Sequence, residues 1–299
     1  MNRVFERIAA VETGCEFQRI FHGRGGYYKG LEFLTIDSID TVLSVAFYAN
    51  PGEAFENAFI SKLKTAASGS RWQCIIIQKR FLNGFPSEVV YGTLPQTVYA
   101  VEDGLNYLLN LTANRNSGFF PDMKMGRTFI RANAAGKSIL NLFAYTCPFS
   151  VAAVAGSAKK VVNVDMSKGA LTTGRQNHRI NHQSTAEVIF MPYNILKSWS
   201  RIKKAGPYDM VIIDPPTFQK GSFAASKDYA KIVRRLPAML TERATVLAAL
   251  NSPHHDSQFL KTIFKENAPE LKFVKRLENS PDFPSADTER DLKNLIFRT

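Results

Sequence analysis

The stretch SILNLFAYTCPFS, residues 138–150, decides how the rest of this 299-residue chain is read. Ile139–Tyr145 is an apolar run without the alternation of a half-exposed strand, as burial on both sheet faces requires. It leads through Thr146-Cys147 to Pro148, a residue tolerated in the first turn of a helix. Similar runs follow at Val161–Asp165, Glu187–Met191, Met210–Asp214, Thr245–Leu250, Leu271–Val274 and Leu292–Phe297. Stretches of helical length separate them. Ser167–Asn181 opens with Ser167 as an N-cap, and Tyr229–Leu240 spaces its apolar residues as a helix does. This alternation predicts an α/β domain, a parallel sheet with helices on both faces and right-handed crossovers.

Upstream, the pattern changes. Leu31–Ile36 and Thr41–Tyr48 read as paired strands joined by a polar turn at Asp37–Asp40. Pro51-Gly52 then precedes a helical stretch, Glu53–Thr65, and extended pieces at Trp72–Gln78, Glu88–Tyr91 and Thr97–Val101. Residues 1–112 are thus expected to form an α+β module and residues 113–299 the sheet domain. Asn114, Asn116, Ser117, Gly118 and Pro121 cluster around the division. Gly23–Gly30 is rich in glycine, but it has no clear strand before it and no helix after it. It reads as a flexible hairpin entry or a basic, aromatic loop rather than a phosphate loop.

Composition narrows the function. Hydrophobic residues at 45% and charged residues at 21% fit a globular chain. Cys15, Cys74 and Cys147 are too scattered for a metal site or a disulfide framework, so a reducing, cytoplasmic setting is expected. Met1–Ala10 carries Arg3, Glu6 and Arg7 and lacks the apolar core of a signal peptide. No run approaches the ~20 apolar residues of a membrane span. The net charge of +12 is unevenly placed. Residues 1–135 hold 14 Lys+Arg and 12 Asp+Glu (+2), and residues 136–299 hold 24 and 14 (+10). A basic sheet domain suits a polyanion such as RNA or DNA, with a merely well-solvated surface as the less favoured reading.

The strand ends carry the chemistry. Ligands of open α/β sheets sit outside the carboxyl edge, where the strand order reverses. The first strand must therefore lead into a tight turn, here Asn141-Leu142-Phe143-Ala144-Tyr145-Thr146-Cys147-Pro148. Asp165 closes the second strand roughly 20 residues on, the offset that ribose recognition favours. A lone acid there also serves as a helix cap. Asp214-Pro215-Pro216-Thr217-Phe218 follows the strand Met210–Ile213. Two prolines fix φ and remove two amide donors, which leaves carbonyls facing the crevice beside an aromatic ring. That arrangement suits a flipped-out base, or it simply ends a strand.

Four segments in this order, Gly118-Phe119-Phe120-Pro121-Asp122, Asn141–Thr146, Val164-Asp165-Met166-Ser167 and Asp214–Phe218, resemble the class I methyltransferases of bacterial 23S ribosomal RNA. The cytosine-C5 and guanine-N7 large-subunit enzymes are the nearest types, and the resemblance runs from about Val101 to the end. It implies a Rossmann-like seven-stranded sheet, with an antiparallel last strand at Leu292–Phe297, and S-adenosyl-L-methionine as cofactor. By matching position, Asn141, Phe143, Ala144, Tyr145, Thr146 and Cys147 line the methionine portion. Asp165 holds the ribose, with Met166 against the adenine and Ser167 in the same cofactor-binding run, and Asn194 stands where the family has an acid near the adenine amine. Phe120, Asp122 and Arg127 close over the cofactor. Asp214, Pro215, Pro216 and Phe218 face the target base.

Two departures matter. Cys147-Pro148 replaces a small, glycine-containing pair. The second concerns the place where the cytosine enzymes carry a nucleophilic cysteine, which here reads Leu250-Asn251-Ser252-Pro253. Covalent activation of a pyrimidine ring needs that thiol. Direct transfer to a base atom that already offers a lone pair does not. His254-His255 reads first as a helix start and second as a contact to RNA phosphate, and Lys220–Lys227 reads as a mobile substrate loop. Arg201-Lys203-Lys204, Lys231-Arg234-Arg235 and Lys272-Lys275-Arg276 read together as a phosphate track, and each by itself as a solvated face. A nicotinamide dehydrogenase is disfavoured because the first turn lacks GxGxxG. A small-molecule methyltransferase and a non-catalytic RNA-binding module remain as rival expectations.

Overall fold

A computed structural model of the chain describes residues 2–11, 14–112, 116–216, 218–219 and 223–299, with only the main chain at 218, 219 and 224–226. It divides into two compact units, Met1–Pro121 with Ser280–Asp287, and Asp122–Asn279 with Thr288–Thr299. The division thus falls after Pro121 rather than at 112. The hairpin ahead of it, and a late excursion of the chain, pack with the first unit instead.

The first unit begins with α1 (Asn2–Ala9), followed by β1 (Gln18–His22), β2 (Leu34–Ile39) and β3 (Val42–Phe47). α2 (Glu53–Ala67) crosses over to β4 (Cys74–Lys79), and β5 (Ser87–Gly92) completes a five-stranded sheet in the order β1-β2-β3-β4-β5. Only β3 and β4 pair in parallel, because only they are joined by a helix. Leu34, Ile36, Val45, Phe47, Phe59 and Leu63 are among the residues that fill its core. β6 (Val98–Glu102) and β7 (Leu105–Leu109) form a separate hairpin.

Three expectations for this unit need correction. β2 runs through Ile39, so the turn is confined to Asp40, at φ 50°, and Thr41. Gly23 does follow a strand, β1. The segment is also tightly packed rather than loose: a Cβ on Gly23 would lie 1.8 Å from the Leu31 carbonyl oxygen, and one on Gly25 would lie 2.0 Å from that of Pro284. Its basic residue Arg24 sits over the Tyr48 ring at 4.0 Å.

In the second unit, α3 (Lys124–Asn133) precedes β8 (Ser138–Leu142), α4 (Pro148–Ala155), β9 (Lys160–Val164), α5 (Lys168–Ile180) and β10 (Val188–Met191). α6 (Trp199–Ala205) leads to β11 (Tyr208–Ile213) and a small hairpin of β12 (Phe218–Gln219) and β13 (Phe223–Ala224). α7 (Ala225–Val233), β14 (Leu240–Asn251), α8 (Ser257–Asn267), β15 (Lys272–Leu277) and β16 (Leu292–Arg298) complete it. The sheet order is β10-β9-β8-β11-β14-β16-β15. All pairings are parallel except those of β16, which is antiparallel to both β14 and β15. The chain starts in the middle, builds outward to β10, and returns beside β8 as β11. The order therefore reverses between β8 and β11, the place outside whose carboxyl ends open α/β sheets bind their ligands. Residues of each strand alternate between two apolar layers, Leu140, Val162 and Val211 on one side and Ile139, Val161 and Ile212 on the other. That two-sided burial explains the unbroken apolar runs.

Here too the chain departs from expectation. The helix expected over Tyr229–Leu240 ends at Val233, because Pro237 supplies no amide to a further turn, and Leu240 already belongs to β14. Of the expected loop Lys220–Lys227, residues 220–222 lie outside the described residues, as do Asn114 and Thr217, while Lys227 lies in α7. Among the described residues no helix is long and apolar enough to cross a membrane.

Candidate cofactor and substrate site

The turn after β8 is held in an unusual backbone. Phe143, Tyr145 and Cys147 all adopt left-handed φ, at 59°, 49° and 61°. Non-glycine residues in this region cost of order 1–3 kcal/mol each and persist only where the surroundings over-determine them. Here they do. Ala144 N donates to the Val164 carbonyl at 3.1 Å, and Cys147 N to the Ala144 carbonyl at 2.7 Å. Tyr145 N donates to Asp165 Oδ2 at 2.9 Å, and Asn177 Nδ2 to the Thr146 carbonyl at 2.8 Å. Cys147 is the N-cap of α4 and Pro148 its first residue, where a missing amide has no helical partner to lose. The expected departure from a glycine pair therefore leaves the turn formed. Burial, with Asp165 nearby, pushes the Cys147 thiol well above its ordinary range.

α5 approaches this turn at Gly174. A Cβ there would meet Cys147 Sγ at 2.5 Å and its Cβ at 3.0 Å, with no room to yield because Cys147 is fully buried. Gly174→Ala is therefore expected to destabilise the domain by about 1–3 kcal/mol through overpacking. Thermal unfolding checks this, and an unchanged melting temperature would show that the turn gives way freely.

Asp165 joins two strand ends. Besides Tyr145 N, it accepts from Ser167 N through Oδ1 at 2.8 Å. Each carboxylate oxygen keeps a second lone pair, so the same group can still take a ribose diol. Ser167 caps α5, its hydroxyl accepting from Ala170 N at 3.1 Å, and Met166 is 46% exposed beside it. Asn194 stands before a short 3-10 turn, Ile195–Lys197, and its side chain makes no cap bond there.

On the other side of the reversal, Asp214 follows β11 and is half-buried. Burial first, then the Asp122 carboxylate, push its pKa up to about 7, against the pull of the Arg127 guanidinium. Arg127 is buried within α3. Asn251, at the end of β14, reaches Asp122 Oδ2 through Nδ2 at a long 3.4 Å. Asp122, Arg127, Asp214 and Asn251 thus converge at one strand edge. Tyr229 fastens that edge from below, its hydroxyl 3.1 Å from the Ala249 carbonyl and 3.5 Å from that of Ile213. Pro215 is buried and Pro216 exposed. The side chain of Phe218 lies outside the described residues. Phe120 is 38% exposed and belongs to the first unit.

Several expected contributors have other partners. Arg276 is bound to Glu289 at 2.8 Å and to the Thr288 and Leu292 carbonyls, which removes it from the expected phosphate track. Lys231 pairs with Asp228, and Arg234 donates to Asn267 Oδ1, each at 2.8 Å. His255 stacks on Phe259 of α8, whose N-cap is Asp256. Among the described residues no group of His, Cys, Asp or Glu could hold a metal ion. Sequence reading missed Ser150, Asn163, Gly174, Asn177, His178 and Tyr229. The one signal available was Asn163, a polar residue inside an otherwise apolar buried strand.

The family model for S-adenosylmethionine-dependent methyltransferases matches residues 18–298. A candidate ribosomal RNA large subunit methyltransferase of Bacillus subtilis (strain 168), YwbD, is 27% identical over 279 residues, covering 89% of this chain and 69% of its own. The ribosomal RNA large subunit methyltransferase K/L of Psychrobacter cryohalolentis is 37% identical over 149 residues, 48% of this chain. The matched part is only 19% of that longer protein. Among solved structures, SMU.776, a methyltransferase candidate in complex with SAH, superposes with a TM-score of 0.86 at 23% identity. That match covers 98% of this chain and 78% of the other.

Proposed function

This chain belongs to the S-adenosylmethionine-dependent methyltransferase family, and from that premise we propose that it methylates a base of RNA, ribosomal RNA first, by direct transfer in a reducing, cytoplasmic setting. The observation that carries the proposal is the paired strand edge. Asp165 braces the first turn on one side of the order reversal, and Asp214 with Pro215 and Pro216 stands on the other.

The residues present fit the cofactor. Among the described residues Asn141 Oδ1 is a buried acceptor without a donor at the start of the turn, Asp165 has lone pairs free for a diol, and Met166 offers an exposed apolar face. Bound there, S-adenosylmethionine supplies an electrophilic methyl group on a sulfonium. The chain's own contribution is positional. Asn141 through Cys147 hold the methionine portion, Asp165 and Ser167 the ribose side, and Asn194 the adenine edge, with Phe120, Asp122 and Arg127 on the pre-sheet segment. The Asp214 carboxylate and the Pro215 carbonyl accept from N–H groups of the base, and Phe218 stacks on it. Orientation and proximity of this kind supply most of what a direct displacement requires.

No cysteine adduct is part of the proposal. Asn251-Ser252 occupies the end of β14, Cys147 is buried with its thiol pushed up, and Cys15 and Cys74 belong to the first unit. Cys147→Ser is accordingly expected to keep transfer within about threefold of the parent, whereas losing a nucleophile costs many orders of magnitude. A protein–RNA adduct surviving denaturation would contradict this.

An RNA substrate follows from the +10 charge of residues 136–299 and from what the relatives are named for. The test is methyl transfer from labelled cofactor to ribosomal and transfer RNA across a salt series. Labelled RNA, with affinity falling steeply as salt rises, is the expected result. Label appearing only in small molecules, independent of salt, would favour a small-molecule methyltransferase. SAH binding without transfer would favour a non-catalytic RNA-binding module.

A further inference from the structure

A chain of buried polar side chains runs through the second unit from the end of α5 to β8. Gln183 Nε2 donates to the Val151 carbonyl at 2.9 Å. Gln183 Oε1 faces His178 Nδ1 at 2.7 Å, and His178 Nε2 faces Ser150 Oγ at 2.9 Å. Asn163 Nδ2 meets Ser150 Oγ at 2.9 Å, and Asn141 Nδ2 meets Asn163 Oδ1 at 2.9 Å. Asn141, Ser150, Asn163 and His178 are each almost wholly buried.

One end fixes the direction of every bond. The Val151 carbonyl can only accept, so Gln183 turns its NH2 group toward it and its oxygen toward His178. That oxygen needs a donor, so Nδ1 carries the imidazole proton. Burial keeps the ring neutral, with its pKa lowered to about 4, and Nε2 is left as an acceptor. Ser150 therefore donates to Nε2, its oxygen accepts from Asn163, and the Asn163 oxygen accepts from Asn141. The chain ends at Asn141 Oδ1, buried and without a partner among the described residues. An unmatched buried carbonyl is unfavourable until a donor fills it.

Asn141 lies on β8, Asp165 follows β9, and Asn194 lies beyond β10, and these three strands are neighbours in that order. A ligand laid along this edge, with its ribose at Asp165 and its base toward Asn194, brings its amino-acid end to β8. We propose that His178, Ser150 and Asn163 are positioning residues that hold the Asn141 amide with its NH2 group toward Asn163 and its oxygen turned away from it, as acceptor for the ammonium group of the cofactor's methionyl portion. This rests on the cofactor reading above. A rotated amide would present N–H groups to a cation and repel it, so the relay discriminates ligands with and without that ammonium.

The test uses the full chain and two neutral-sulfur ligands, S-adenosylhomocysteine and 5′-methylthioadenosine, which lacks the amino-acid portion. Ser150→Ala is expected to weaken S-adenosylhomocysteine about tenfold, near the worth of one hydrogen bond to a charged group, and to leave methylthioadenosine within about twofold. In an Asn141→Ala background the same change should cost less than about twofold, because the transmitter is gone. Equal loss of both ligands, or full additivity with Asn141→Ala, overturns the relay alone. A folded parent that binds neither ligand overturns the cofactor reading and the relay with it. If Ser150→Ala does not fold, nitrogen NMR of the parent's His178 at neutral pH still decides. A proton on Nδ1 and a bare Nε2 support the relay, and the opposite tautomer overturns it.

Discussion

Asp165→Ala abolishes binding of S-adenosylhomocysteine at concentrations that saturate the parent, while the protein stays folded. The expectation comes from two losses at one residue. The carboxylate accepts from Tyr145 N and Ser167 N, and so ties the first turn to the start of α5. In the proposed site it is also the acceptor for the two ribose hydroxyls. Hydrogen bonds to a charged group contribute about 1.5–3 kcal/mol each, so losing a diol pair alone weakens affinity by at least two orders of magnitude. Asp165→Asn separates the two parts. One amide oxygen still accepts, so an intermediate affinity is expected, with the turn closer to its parent geometry. Calorimetric titration of the parent and both variants checks the series. Parent-like affinity in Asp165→Ala would remove Asp165 from the cofactor site.

The second large effect is at Asp214. Asp214→Ala and Asp214→Asn should lower transfer by about 100- to 1000-fold, the range for removing one pre-positioned polar group, while cofactor affinity changes little. Phe218→Ala should lower it as well, by about 1–3 kcal/mol of lost stacking. Full rates in Asp214→Ala and Phe218→Ala with normal cofactor binding would show that the base lies elsewhere. The pH dependence carries a definite sign. Burial and Asp122 raise Asp214 to about 7 in the folded chain, against about 4 in an unfolded one. The ionised form, the stronger acceptor, is populated only as pH rises through about 7, so kcat/KM for RNA should rise across that range. Stability runs the other way. A carboxyl whose pKa is raised by folding contributes most below its unfolded value, and that contribution is lost as pH rises from about 4 to about 7. Asp214→Asn, which never ionises, should lose this part of the pH dependence of the melting temperature. A parent and variant with the same profile would remove Asp214 as its source.

The sheet was legible in the sequence because it is buried on both faces. Runs such as Val161–Val164 and Met210–Ile213 have no other stable use, and the alternation with helices sets the topology. Ser167 as a cap and Pro148 at a helix start were legible because each has a specific role at a helix end. What escaped was structure whose residues look ordinary in isolation. β1 is QRIFH, whose two apolar residues are adjacent rather than alternating, and α3 is KMGRTFIRAN, which spaces Met125, Phe129 and Ala132 as a helix does but is short. Gly126 lies inside α3, where a Cβ would crowd Phe149 and touch Leu247. Gly23 and Gly25 resemble a loose loop and are instead close contacts. Of the candidate site, the strand-end residues Asp165 and Asp214 could be placed after β9 and β11 from the sequence, while the roles proposed for them come from the family resemblance. The relay behind Asn141 was not, because His178, Ser150 and Asn163 converge only through the pairing of β8 with β9 and the packing of α4 and α5 on them.

The most direct test of the central claim is calorimetric titration of the full chain with S-adenosylhomocysteine. The strand-edge site predicts one-to-one binding in the micromolar range, about −8 kcal/mol, despite the Cys147-Pro148 turn. A folded protein that gives no binding would contradict the cofactor site at the β8–β11 reversal, and with it the assignment of this chain as a working methyltransferase.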